Sequence, residues 1–168
     1  VRQSNRSQIF DFVVSELNDV LPELGAGQCQ KTGTYYGRIT KAVAYMCLAK
    51  CALNAPVYKI DDTSVNSYKV FVGNDLTGSC KADETQGAEI SNMGKNIMMK
   101  VDGTSRNAWE TVKYCVDQIA AQGYSLQPSY EDNFIVQNQN SVENIFVRPD
   151  DDKTYKIWDG NLIRSLHY

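Results

Sequence analysis

The sequence predicts a mainly α-helical protein with a loop-rich C-terminal part. Three stretches carry apolar side chains at helical spacing, at about residues 7–21, 39–54 and 107–122. Residues 61–106 lie between the second and third stretches; they are polar, contain glycine and carry no helical stripe of any length. These observations predict one cluster of packed helices, with a long loop or a short β-ribbon inserted into it.

Length and charge limit the classes of protein and partner. The chain of 168 residues suffices for one domain with a core, and its apolar fraction of 42% is ordinary. The net charge of −3 provides no broad basic field, which argues against nucleic acid or an anionic membrane as a partner. No signal peptide, lipidation cysteine or membrane-spanning run is present at the start, which is Val1. We expect a mature product or an excised piece of a longer protein.

The first helix is predicted to begin at an N-cap, either Asn5 or Ser7, and to end at Pro22. Its apolar face is wide, so we expect the helix to be at least half buried. The residues of this face are Ile9, Phe10, Phe12, Val13, Val14, Leu17, Val20 and Leu21. The polar loop at residues 25–34 is long enough to turn the chain back, which predicts an antiparallel pair with the second helix. Such pairs build tetratricopeptide-like arrays, although the W-x-x-L-G consensus of those arrays is missing.

The second helix is the centre of the predicted fold and belongs to the stretch YGRITKAVAYMCLAKCALNAPVY, Tyr36 to Tyr58. Larger side chains recur at helical spacing with alanines between them: Ile39, Val43, Met46, Cys47, Lys50 and Leu53. This pattern predicts a helix packed on more than one side, along which the stems of Lys41 and Lys50 can lie. Leu17 and Leu53 are expected to be buried, so that Leu→Ala at either would cost roughly 2–5 kcal/mol. Pro56 is predicted to end the run.

The insertion is predicted to contain a two-stranded ribbon. Tyr68, Val70 and Val72 alternate in one strand, and Ile97, Met99 and Val101 alternate in the other. An Asn-Asp or Asp-Gly turn follows each strand. Between the strands lie three carboxylates whose spacing matches no calcium loop, so we expect a solvated loop there. They are Asp83, Glu84 and Glu89.

The third helix is predicted to begin at Ser105 or Asn107 and to stop at Gly123 in the left-handed conformation. Its stripe consists of Trp109, Val112, Cys115, Val116, Ile119 and Ala120. We expect Trp109 to be a core residue whose indole N–H needs a partner.

The segment after the third helix is predicted to be irregular. Five apolar residues are spaced as anchors of this segment rather than as a regular face: Tyr124, Leu126, Tyr130, Phe134 and Val136. Residues 145–147 are expected to form a short buried extended piece that Pro149 stops.

The five cysteines are Cys29, Cys47, Cys51, Cys80 and Cys115. They form no CxxC pair, and His167 is the single histidine, which argues against a structural zinc site. We expect the cysteines of the helices to be small buried side chains. One disulfide remains open as an alternative in an oxidising compartment.

No catalytic constellation is present in the sequence. It contains no nucleophile elbow, Walker loop or HExxH motif. The carboxylates of Glu16, Asp19, Asp132 and residues 150–152 are expected to be solvated. We therefore expect neither enzymatic activity nor a cofactor or metal.

The last fifteen residues, TYKIWDGNLIRSLHY, have the composition of a sugar-binding site. A sugar ring needs aromatic faces beside groups that bind hydroxyls. We expect Trp158 to be an exposed stacking platform, helped by Tyr155 and accompanied by polar groups and a terminal aromatic: Asp159, Asn161, Arg164, His167 and Tyr168. The alternative is that Trp158 and Tyr168 anchor a long loop on the helices.

Four stretches, in this order along the chain, resemble the SusD/RagB family of outer-membrane glycan-binding lipoproteins of gut Bacteroidota. They are FDFVVSELNDVLPEL, YGRITKAVAYMCLAKCALNAPVY, NAWETVKYCVDQIAAQGYSL and YEDNFIVQNQNSVENIFVRP. The second stretch and the later NSVENIF signature carry most of the resemblance, which covers most of the chain.

The resemblance implies a non-catalytic protein that binds oligosaccharide at the cell surface and delivers it to a SusC-like TonB-dependent transporter. Family members are longer, with four tetratricopeptide-type helix pairs and a lipidated N-terminal Cys, so this chain is expected to be an internal segment. Membrane attachment would come through the parent protein's lipid anchor. The long stretch 61–106 departs from the short loop of many relatives. The alternative function is a tetratricopeptide-like scaffold that binds another protein and has a structural aromatic tail.

Overall fold

The computed structural model describes residues 4–30, 32–59, 91–135 and 138–147, and this part of the chain is mainly helical. Its helices are α1 (Arg6–Val20), α2 (Lys41–Leu53), α3 (Ala55–Tyr58), α4 (residues 91–96) and α5 (Ala108–Ala121). Short 3-10 turns occupy Leu21–Glu23, Tyr130–Asn133 and Asn138–Asn140, and two strands, β1 (Met98–Val101) and β2 (Thr104–Asn107), form a hairpin. No helix in these residues is long and apolar enough to cross a membrane.

Reciprocal side-chain caps start α1 and α5. At α1, the Asn5 side chain accepts a hydrogen bond from the Gln8 backbone N–H at 3.1 Å, and Gln8 accepts one from the Asn5 N–H at 3.2 Å. Asn107 and Glu110 form the same arrangement at α5, at 3.0 and 3.1 Å. Each cap satisfies backbone donors that the first turn leaves free. The predicted caps Asn5 and Asn107 are thus confirmed.

The core lies between α2 and α5, which make the most extensive contact between helices in the described residues. The buried side of α2 consists of Ala42, Ala44, Tyr45, Leu48, Ala49 and Ala52. The prediction that Leu53 is buried is wrong, because its side chain is 58% exposed, and Lys50 is exposed as well. Small side chains allow two helix backbones to approach closely. The contact therefore follows the alanines rather than the larger residues.

Helix α1 is less buried than the width of its apolar face predicts. Phe10 and Val14 are buried and Leu17 is half-buried, whereas a second row of apolar side chains is exposed. The exposed row consists of Ile9, Phe12, Val13 and Val20. The expectation of a helix at least half buried is wrong, because α2 and α3 cover one side of it. A pairing of α1 with α2 in the tetratricopeptide manner is not established by these contacts.

The β-ribbon is a tight hairpin. Strand β1 pairs antiparallel with β2, with Met98 opposite Asn107 and Val101 opposite Thr104. The Asp102–Gly103 turn has φ values of 50° and 75°, which suit the two-residue turns of hairpins. The sequence predicted a ribbon between residues 68–72 and 97–101. Residues 68–72 lie outside the described residues, and the partner found for β1 is the polar segment that follows the turn.

The hairpin is fixed to three helices by hydrogen bonds at Lys100 and Asp102. The hydroxyls of Tyr45 on α2 and Tyr114 on α5 both donate to Asp102 Oδ2 at 2.7 Å. From α1, Asn18 donates to the Lys100 carbonyl at 2.9 Å and accepts from the Asp102 N–H at 3.3 Å. The turn therefore connects α1, α2 and α5.

Trp109 is half-buried at the start of α5. Its indole N–H donates to the Ser91 carbonyl at 2.8 Å, which is the partner that the sequence argument required. Gly94 of α4 lies directly against the indole ring, so a larger residue there would clash. Trp109 therefore attaches α4 to the helical core.

Four of the cysteines lie in the described residues, and all four are free thiols. Cys29 and Cys115 are buried and Cys51 is half-buried, but Cys47 is exposed, so the expectation of burial is wrong for Cys47. Burial, with a smaller contribution from Asp102, raises the pKa of the Cys115 thiol to about 12. Cys115 is thus a protonated, inert core residue at neutral pH.

Candidate binding site

An apolar groove of about 420 Å³ lies where α2, α5 and the segment after α5 meet. Its wall is lined by Met46, Val116, Ile119, Tyr124, Leu126 and Ile145, and Glu143 supplies a carboxylate. Concave apolar surfaces with a few polar groups are the usual form of small-ligand sites. This groove is therefore the first candidate binding surface.

Hydrogen bonds from the α1–α2 loop fix the base of the groove. The Cys29 backbone N–H donates to the Tyr124 hydroxyl at 3.1 Å, and the Cys29 thiol donates to the Ile145 carbonyl at 3.0 Å. Tyr124 is buried, as its predicted role of anchor requires. The prediction of a short buried extended piece at residues 145–147 is wrong, because residues 145 and 146 form a bend, Ile145 is half-buried against the core and Phe146 is exposed. The segment is held by polar contacts to a loop, which an apolar pattern does not reveal.

Two aromatic rings stand exposed on the turn beside the groove. Tyr130 is 73% exposed and Phe134 is 68% exposed, and their ring centroids lie 4.9 Å apart at an interplanar angle of 57°. Leu126 is 82% exposed. The prediction that these three residues anchor the segment is wrong, because none of them reaches the core. Val136, the fifth predicted anchor, lies outside the described residues.

A polar network beneath the rings holds this turn in place. Glu143 Oε2 accepts from the Gln127 N–H at 2.9 Å and from Asn133 Nδ2 at 2.8 Å. These bonds, the one from Gln127 being the larger cause, hold the pKa of Glu143 below its usual value. Ser141 Oγ donates to Asn133 Oδ1 at 2.5 Å, and Asn138 Nδ2 donates to the Asn133 carbonyl at 2.6 Å. Asn133 is buried at the centre, so the turn has a defined shape.

Two carboxylates lie between the exposed rings in sequence. Glu131 and Asp132 are exposed, and neither side chain makes a hydrogen bond or ion pair with the described residues. Their oxygens are therefore available to donors from a ligand. The turn presents two aromatic side chains and two free acceptor groups within five residues.

A second surface lies on α1. A largely apolar groove of about 460 Å³ is lined by Ile9, Phe10 and Val13, with Cys51 and Tyr58 from α2 and α3. At about 100° per residue, the exposed row of α1 lies roughly 100° around the helix from its buried row. Acidic residues lie within and beside the exposed row: Glu16 is on the same face, four residues after Phe12, and Asp19 is at its edge. One helix thus carries a covered apolar stripe and an open one.

The site residues predicted at the C terminus all lie outside the described residues. They are Tyr155, Trp158, Asp159, Asn161, Arg164, His167 and Tyr168. The possible acids at residues 150–152 and the loop carboxylates Asp83, Glu84 and Glu89 also lie outside them. Tyr130 and Phe134 were not predicted as surface residues. Tyr130 lies between Ser129 and Glu131, and Phe134 follows Asn133, so polar neighbours of the kind that singled out Trp158 were the available signal.

Two tyrosines with raised pKa values serve the fold. Burial first, and then the bond to Asp102, raise the pKa values of Tyr45 and Tyr114, so both hydroxyls stay protonated donors at neutral pH. Arg106 lies over the Tyr114 ring at 3.7 Å, which closes the cluster. The described residues contain no group of three or more His, Cys, Asp or Glu side chains placed to hold a metal ion.

Comparison of the chain with protein-family models, with curated proteins and with solved structures found no match in any of the three. The class of protein that the described part defines is thus a mainly helical one with exposed apolar and aromatic surfaces.

Proposed function

We propose that this chain is a segment of a SusD-like protein that binds oligosaccharide without chemical change and presents it to a SusC-like TonB-dependent transporter. The parent protein would be a lipoprotein on the outer-membrane surface. Its helices, including α1 and α2, would belong to tetratricopeptide-type pairs.

The observation that carries this proposal is the meeting of the two strongest signature stretches at one groove. Met46 belongs to the stretch YGRITKAVAYMCLAKCALNAPVY, and Glu143 and Ile145 belong to NSVENIF. All three line the groove between α2, α5 and the following segment. Stretches that are about a hundred residues apart in sequence thus contribute to one surface. That both stretches carrying the resemblance line one surface is what supports the proposal.

The chemistry of the surface favours binding over catalysis. Its wall is apolar, and its single lining carboxylate, Glu143, accepts two hydrogen bonds from neighbouring residues. A carboxylate with a lowered pKa is a poor general acid at neutral pH, because it is fully ionised there. The proposal is therefore one of recognition and delivery, with no bond made or broken.

Affinity electrophoresis tests the proposal directly. The purified chain is run through native gels that contain starch, xylan, mannan or β-glucan, with serum albumin as the non-binding control. We expect at least one polysaccharide to slow the chain relative to a gel without polysaccharide. Oligosaccharides of the retained glycan should be recovered intact after incubation. Equal mobility in every gel would contradict glycan binding, and turnover abolished by one carboxylate substitution would contradict a non-catalytic role.

The open stripe of α1 favours a second candidate function, a scaffold that binds an amphipathic helix of another protein. Ile9, Phe12 and Val13 are spaced so that a helix can pack along them, and the nearby carboxylates of α1 favour a partner that carries basic residues. Anisotropy with a labelled Leu/Lys amphipathic peptide tests this function. The scaffold function would be supported if Phe12→Asp abolished peptide binding and Phe134→Asp left it unchanged. Absence of binding up to millimolar peptide would contradict it.

A further inference from the structure

We propose that Tyr130 and Phe134, together with Glu131 and Asp132, form a binding platform for a neutral oligosaccharide. This inference rests on the proposed function and assigns it a site that the sequence argument did not predict. The four residues belong to one turn, the 3-10 turn Tyr130–Asn133 and the residue after it.

Tyr130 and Phe134 are exposed because the turn that carries them is held in one conformation by hydrogen bonds. Asn133 is 7% exposed, and its side chain donates to Glu143 while it accepts from Ser141. A buried amide with both ends of its side chain bonded fixes the backbone on either side of it. Tyr130 and Phe134 therefore remain in water because the turn directs them there. An exposed aromatic cluster on a fixed support is typical of a recognition surface.

The chemistry of the turn matches a sugar ring. The C–H faces of a sugar pack on aromatic rings, while its hydroxyls need acceptors at the edge of those rings. The rings of Tyr130 and Phe134 are tilted by 57°, so they offer two differently oriented faces. Glu131 and Asp132 supply charged acceptors, and hydrogen bonds from hydroxyls to carboxylates are among the stronger ones. Protein partners of a purely apolar kind would leave these carboxylates desolvated without a donor.

The charge of the segment selects the class of glycan. Residues 124–147 contain no Lys, Arg or His, whereas Glu131, Asp132 and Glu143 all lie within them. Uronic acids or sulfated sugars would meet repulsion and no cationic partner from this segment. Neutral glycans, which carry hydroxyl donors, are therefore the favoured ligands.

The platform continues towards the groove through Glu143, which lines the groove and accepts the hydrogen bond from Asn133. A ligand of more than one sugar unit can contact the rings and the groove wall at once, whereas a monosaccharide covers the rings alone. We therefore expect affinity to rise with chain length over the first few units.

The experiment begins with wild-type protein in affinity gels of starch, mannan, β-glucan and the acidic polysaccharide pectin. Oligosaccharides of the retained neutral glycan are then titrated by calorimetry into wild type, Tyr130→Ala, Phe134→Ala and the double variant. The double variant should bind about tenfold more weakly or worse, as expected for exposed aromatic hot spots. Leu53→Ala is the control, because Leu53 is an exposed apolar side chain on α2 that lines neither the groove nor the platform. Its affinity should stay within about twofold of wild type.

Folding is checked by circular dichroism, and a second pair of variants, Glu131→Gln and Asp132→Asn, tests the platform without removing a ring. Each should weaken binding several-fold, because a neutral amide accepts a weaker hydrogen bond than a carboxylate. If the Tyr130→Ala/Phe134→Ala double variant bound with the same affinity as wild type, this inference would be overturned and the proposed function would remain intact. Preference for pectin over the neutral glycans would overturn the neutral-glycan assignment. No binding by wild type would contradict the proposed function itself, and the platform with it.

Discussion

Replacing Leu48 by Ala should destabilise the chain far more than replacing Leu53, although both leucines lie on α2. Leu48 is 0% exposed in the core between α2 and α5, whereas Leu53 is 58% exposed. Truncating a fully buried leucine removes apolar contacts and leaves a cavity, which costs about 2–5 kcal/mol. At Leu53 more than half of the side chain is already in water, and alanine has the higher helix propensity, so the loss should stay below about 1 kcal/mol.

The two variants are compared by urea unfolding followed by circular dichroism at 222 nm. In a thermal unfolding experiment on a chain of this size, a loss of about 2–5 kcal/mol would lower the melting temperature by roughly 5–15 °C. Equal losses for Leu48→Ala and Leu53→Ala would refute the placement of the core on the alanine side of α2. If the slope of the unfolding free energy against urea concentration is unchanged, both variants expose the same amount of surface on unfolding as wild type.

Three further predictions follow from single contacts. A thiol reagent at pH 8 should modify the exposed Cys47 readily in the folded protein. It should modify Cys115 only once the protein is unfolded, because Cys115 is buried and its pKa is raised to about 12. Asn107→Ala, measured by urea unfolding, should lose about 1 kcal/mol through the cap of α5. Glu143 has a lowered pKa in the folded state, so its contribution to stability is present above its unfolded pKa of about 4.3 and is lost as pH falls through the folded value.

Each of these three predictions has a control variant or a result that would contradict it. Rapid labelling of Cys115 in native protein would contradict its burial, and Asn107→Ser, which keeps a capping oxygen, should retain most of the lost stability. For Glu143, the urea midpoint is followed between pH 6 and 3 in wild type and Glu143→Gln. We expect the variant to lose less on acidification, and identical pH profiles would contradict the role of the Glu143 hydrogen bonds.

The elements with local signals were predictable from the sequence. Asn107 stands three residues before Glu110, so a cap was visible before any long-range contact was known. Asp102–Gly103 marked the hairpin turn in the same way. The second strand was not predictable from alternation, because Thr104–Asn107 is polar and pairs with β1 through the turn geometry and backbone bonds.

The buried faces were harder to predict, because they depend on which helices meet. Leu48 and Leu53 look alike in sequence, but α5 packs against the alanine-lined side and leaves Leu53 in water. The width of the α1 face likewise gives no information on whether a partner covers it. At the candidate site, the spacing of the apolar residues predicted Tyr130 and Phe134 to be anchors of the segment, and both are exposed. The rings face outward because Asn133 hydrogen-bonds Glu143, a polar residue ten positions later, and an apolar pattern does not reveal such a bond.

The most direct test of the account is a binding titration of the unmodified chain. Calorimetry with oligosaccharides of two to eight units, drawn from neutral glycans, measures affinity, stoichiometry and the dependence on chain length together. The account predicts saturable binding that strengthens over the first few units, with the ligand recovered unchanged by chromatography. Heats no larger than those of dilution for every glycan would contradict it, and so would recovery of shortened products.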